Sequence, residues 1–139
     1  MITNDILFQK YGIVKIEIDE PFPLKRNAKA LEKFLEKLEL YLKAQNYGFR
    51  FEEATLVFET VYNTDEKGVR WTDNDNFAIK MITDVLQRYL LTSDNSKLTT
   101  SVCCATLSPC FKHKSAIYII PMKINASDIL DLYFRRCTK

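Results

Sequence analysis

No apolar run in the 139 residues approaches the length needed to span a bilayer, and the opening stretch MITNDILFQKYG has neither a basic leader nor an apolar core. These absences argue against a membrane span and a secretory signal and lead us to expect a cytoplasmic protein. Net charge is scarce too: 20 basic residues against 18 acidic ones leave +2, so any nucleic-acid surface must come from local clustering. Repeats, low-complexity tracts and linkers are absent. The one histidine, His113, sits in a polar stretch and reads as a surface residue rather than a ligand or general base. Cysteines are few and lack the spacing of a disulfide framework. Cys103, Cys104, Cys110 and Cys137 therefore read as free thiols of a reducing compartment. A zinc site built from Cys110, His113 and a residue of the Cys103-Cys104 pair is poorly spaced, because neighbouring residues on a strand point to opposite faces.

What is present is the composition of an ordinary globular protein, 47% apolar, 12% aromatic and 27% charged. The length suits one domain over residues 1–139, with a single core. The stretch Gly12 to Asp19 alternates, with Val14, Ile16 and Ile18 on one side and Lys15, Glu17 and Asp19 on the other, which predicts a half-buried strand. Pro21 and Pro23 end it, and a loop bearing Lys25 and Arg26 follows. From an N-cap at Asn27, apolar residues at Leu31, Phe34, Leu35, Leu38 and Leu42 predict a helix ending near Asn46 to Gly48. Ala54 to Tyr62, rich in β-branched and aromatic residues, predicts a long central strand.

Beyond a solvent loop, Phe77, Ala78, Met81, Ile82, Val85, Leu86, Tyr89 and Leu90 fall on one arc, predicting a second helix that starts near Asn76. Strands are expected at about 98–107 and 116–121, joined as a hairpin across Ser108-Pro109. A short last helix is capped by Asn125 or Ser127. The expected fold class is α/β of the α+β type: a small mixed sheet under two main helices, in the order β-α-β-α-β-β with a short C-terminal helix.

The chemistry concentrates ahead of the second helix. Asp73 and Asp75 stand two apart in an extended lead-in, where alternate side chains share a side, so both carboxylates can reach one ion. Hard divalent cations want such oxygen ligands. Acidic residues ahead of a helix also cap its amides and favour its dipole, which is the plainer reading of the same pattern. Lys80 and Asp84 lie one turn apart on the polar face of the helix. They form either a surface ion pair or a cation aimed at a phosphate on which charge builds during attack by water.

The run Asp73-Asn74-Asp75-Asn76, then Lys80, then Asp84-Val85-Leu86, then Asp94-Asn95 resembles the signature of the RusA family of Holliday junction resolvases. Pro21-Phe22-Pro23-Leu24-Lys25-Arg26-Asn27 is similar to that family's proline-rich loop, and the resemblance covers roughly residues 11–122. It implies a Mg²⁺- or Mn²⁺-dependent endonuclease, working as a homodimer, that cuts branched DNA symmetrically in recombination and repair. Carried over, Asp73 and Asp75 are metal ligands and Lys80 is the catalytic cation. Asn76 stands at the helix start beside the DNA, and Asp84 supports Lys80. Two departures stand out: Lys80 lies one residue further from Asp75 than in the best-known members, and Asn95 occupies the position of the usual last carboxylate ligand. An amide oxygen binds a hard cation without charge, so either Asp94 takes that ligand's place or the site is impaired.

Phosphate contacts are expected from Lys25, Arg26, Lys29 and Lys33, from Lys67 and Arg70, and from Lys112 and Lys114, each cluster being also readable as a solvated surface. Trp71 and Tyr62 are open to wedging against bases or to plain core packing. Two other functions fit the same residues: a junction-binding module that does not cut, and a phage-type regulator in which the acids only cap a helix.

Overall fold

The computed structural model describes residues 4–63, 78–92, 99–108 and 114–122. Along them run α1 (Asn4–Tyr11), β1 (Val14–Ile18), α2 (Ala28–Gln45), β2 (Ala54–Asn63), α3 (Ile79–Tyr89), β3 (Thr99–Ser108) and β4 (Lys114–Ile120). Four strands form one mixed sheet in the order β1-β4-β2-β3. β4 runs antiparallel to both β1 and β2, whereas β2 and β3 are parallel. This is the mixed-sheet α+β architecture expected from the sequence, with β2 inside the sheet.

The expected hairpin between the last two strands does not form. β2 lies between β3 and β4, because the long apolar β2 buries more of its length when it is paired on both sides than it would at an edge. A second difference is α1, a helix that the sequence did not announce. It ends at Gly12, whose φ of +70° supplies the left-handed residue that closes a helix, and the Gly12 amide donates to the Phe8 carbonyl at 2.8 Å. The expected C-terminal helix and the expected start of the second helix at Asn76 lie outside the described residues.

One hydrophobic cluster joins the sheet to both long helices. Phe34, Leu38 and Leu42 of α2 and Ile82, Val85 and Leu86 of α3 meet Ile16, Leu56, Phe58, Ile117 and Ile119 of the strands. The strand alternation is kept: Val14, Ile16 and Ile18 are buried and Glu17 is exposed. On α3 the arc is narrower than the sequence suggests, since Met81 is 51% exposed. Asn27 caps α2 as expected, its side chain accepting from the Ala30 amide at 3.1 Å, and Asn46 closes it in the left-handed region.

The core predicts a graded response. Leu38→Ala, at a fully buried site facing the sheet, should cost about 2–5 kcal/mol by leaving a cavity. Asn27→Ala, which removes only the cap, should cost about 1 kcal/mol. Urea unfolding of the two variants checks both values.

Candidate functional site

Parallel strands cannot be joined by a tight turn, so β2 reaches β3 through a crossover whose helix is α3. The ends of α3 are therefore fixed at opposite ends of the β2–β3 pair. The Ala78 amide, just ahead of α3, donates to the Pro23 carbonyl at 2.9 Å. Pro23 belongs to the proline loop, which Phe22 anchors. That ring is buried against Phe34 and Phe58, at centroid distances of 5.6 and 5.8 Å. The loop carrying Lys25 and Arg26 and the start of α2 carrying Lys29 are thus tied to the start of α3. All three cations are exposed.

Lys80 occupies the first turn of α3. Its Nζ lies 2.9 Å from Asp84 Oδ1, with side chains 73% and 52% exposed. Such an exposed pair contributes roughly 0–1 kcal/mol, so an incoming anion displaces it at small cost. Lys33 is not available in the same way: with Lys37 it holds Glu20, at 3.1 and 2.7 Å. These contacts, Lys37 first and Lys33 second, hold the Glu20 carboxyl below its ordinary value. Lys114 lies 4.0 Å from Glu17. Of the expected phosphate-binding residues, the structure therefore brings Lys25, Arg26 and Lys29 to the end of the fold at which Lys80, the expected catalytic cation, stands. Asp73, Asp75, Asn76, Arg70, Asp94 and Asn95 lie outside the described residues, as do Lys67, Trp71, Lys112, His113, Cys110 and Cys137. Among the described residues no three His, Cys, Asp or Glu side chains converge on a common metal position. Cys103 packs against the core cluster and Cys104 is exposed, so the pair points to opposite faces. Desolvation, and then the charge of Glu59, pushes the Cys104 thiol above its ordinary value.

The other end of α3 is closed by a residue that sequence reasoning did not single out. Arg50 donates to the carbonyls of Gln87 at 2.8 Å and Leu91 at 3.0 Å, and also to that of Arg88. The Phe51 amide donates to the Leu90 carbonyl at 2.7 Å. The last turn of a helix leaves carbonyls without internal partners and carries partial negative charge, and Arg50 answers both. A basic residue in a loop has no periodic signal; only the placement of α3 beside the start of β2 reveals its role. Around it opens a cleft of about 650 Å³ between the C-terminal ends of α2 and α3.

Residues 3–126 match the model of a family of unknown function, DUF6100. No curated protein matches the chain.

Arg50→Met keeps much of the stem but leaves three carbonyls to water. It should destabilise the fold by about 1–3 kcal/mol, measured by urea unfolding, with amide exchange accelerated in α3 before α2. A pH series separates the Glu20 contacts. A carboxyl held low stabilises the folded state above the unfolded value and ceases to do so as pH falls through the folded value. The difference in thermal midpoint between the parent and Glu20→Gln should therefore be present near neutrality and vanish on acidification below the ordinary carboxylate range.

Proposed function

This chain belongs to the DUF6100 family, and we propose that it is a divalent-cation-dependent endonuclease of the RusA type acting on four-way DNA junctions. The observation that supports this reading most is the hydrogen bond from Ala78 to Pro23, because it joins two separate parts of the resembling pattern at one place. The basic proline loop meets the start of the helix that carries Lys80, and Asp75 precedes Ala78 by three residues.

In this reading Lys25, Arg26 and Lys29, with Arg70 and Asn76, hold the sugar-phosphate backbone, and such contacts set the register of the duplex without reading sequence. Lys80 exchanges Asp84 for a phosphate oxygen and offsets the charge that develops on it. Asp84 is a positioning residue that keeps the ammonium near the first turn of α3 between turnovers. Asp73, Asp75 and either Asp94 or the Asn95 amide are the hard oxygen donors that Mg²⁺ or Mn²⁺ takes. When bound there, the ion supplies polarisation of the phosphate and a more acidic water. A homodimer would present two such centres to opposed strands, and the cytoplasm is where the substrate lies. Among the described residues no helix is long and apolar enough to cross a membrane.

A synthetic four-way junction incubated with the protein and Mg²⁺ or Mn²⁺ should show paired symmetric nicks, which Asp75→Asn abolishes and Lys80→Ala slows by on the order of 10²–10³. Asn95→Asp should raise the rate if the amide weakens the site; an unchanged rate assigns the ligand to Asp94. Salt-sensitive junction binding without nicks identifies a binding module instead, and no binding at all sinks both DNA readings.

A further inference from the structure

The cleft beneath Arg50 combines aromatic walls with a basic rim. Its walls carry Tyr47, Phe49 and Tyr89, its rim carries Lys43, Arg50 and Arg88, and no carboxylate is among the described residues lining it. Its volume of about 650 Å³ is within the range of small-molecule sites. Phe49 is 37% exposed although it anchors an aromatic group: it stacks on Phe8 at 5.3 Å and meets Tyr47 and Phe51 edge-on at 5.8 and 5.4 Å. The ring is therefore held rigidly while much of it stays open to solvent.

The cations have unequal freedom. Arg50 is committed to the end of α3. Arg88 reaches Glu39 through one nitrogen at 3.4 Å, an exposed contact, and its guanidinium has further donors. Lys43 makes no ion pair among the described residues. A fixed aromatic wall beside two cations with donors to spare is the arrangement that single-stranded nucleic acid uses: base on ring, phosphate on cation. We propose that this cleft binds an unpaired nucleotide of single-stranded DNA, its base against Phe49 and its phosphate between Lys43 and Arg88. The inference extends the DNA reading given above but uses none of its carboxylates. From Lys80 to Arg88 along α3 is about 12 Å, so the cleft is a separate binding surface at the far end of the helix.

The test is fluorescence anisotropy of the full chain with a labelled oligothymidylate of about 12 nucleotides, over a series of salt concentrations. The parent should bind, and log affinity should fall linearly with log salt. In Lys43→Ala/Arg88→Ala that slope should become shallower by about 0.7 for each phosphate that is no longer neutralised. Lys43→Arg should restore its share. Phe49→Leu, which keeps apolar bulk but removes the stacking ring, should weaken binding by roughly 5- to 100-fold without altering the slope. Asp75→Asn should bind the oligonucleotide as the parent does. The proposal is overturned if the parent fails to bind, or if folded Lys43→Ala/Arg88→Ala and Phe49→Leu bind like the parent. A binding defect confined to Asp75→Asn overturns it as well, because binding then belongs to the other end of α3. Junction nicking that survives in Lys43→Ala/Arg88→Ala while oligonucleotide binding falls keeps the two sites distinct.

Discussion

The parallel pairing of β2 with β3 is the constraint from which the arrangement of the molecule follows. A parallel pair cannot close through a short turn, so the chain has to return along the pair before β3 begins, and α3 is that return. Its apolar arc, with Ile82, Val85 and Leu86 buried, is what holds it on the sheet. Its two ends are then held by different partners: the Pro23 carbonyl at the start, and Arg50 with the Phe51 amide at the finish. Each end gathers a different set of cations. The start collects Lys25, Arg26, Lys29 and Lys80, and the finish collects Lys43, Arg50 and Arg88.

This separation explains how a chain of net charge +2 can still offer cationic surfaces. Many of its charges cancel locally: Lys33 and Lys37 are held by Glu20, Lys15 by Glu17, and Arg88 in part by Glu39. The cations gathered at the two ends of α3, some of them in weak exposed pairs of their own, are grouped there by packing rather than by composition. Long-range steering from a net charge this small is weak, so affinity for a polyanion has to rest on interactions at short range. Lys80 illustrates such a surface, since its exposed partner Asp84 keeps the ammonium in place without binding it strongly.

Much of the architecture was legible in the sequence because its signals are periodic and local. Val14, Ile16 and Ile18 announced β1, the arc from Leu31 to Leu42 announced α2, and Asn27 announced its cap, since each depends on neighbours within a turn or two of chain. The acidic pattern, Lys80 and the proline loop were legible as residue types at a spacing, and the RusA resemblance rests on such spacing alone. Three features were hidden. α1 has no clean apolar stripe, and the left-handed conformation of Gly12 that closes it emerges only in the fold. The hairpin expected between β3 and β4 was a local inference about a non-local choice, and β2 took the place between them.

Arg50 is the third case and the most instructive. In sequence it is a lone cation in a loop between Gly48 and the strand; in the fold it takes three carbonyls of a helix some forty residues away. Residue order alone was enough to mark most of the helices and strands, their apolar faces, and the residue types that stand at the start of α3. Folding in three dimensions was needed to place β2 between β3 and β4, to dock the proline loop on α3, and to line a cleft at its far end with Arg50 and three aromatic rings. The reason is physical: periodicity and capping are set by neighbours a few residues apart, whereas strand order and the satisfaction of helix ends depend on partners that only the folded chain brings together.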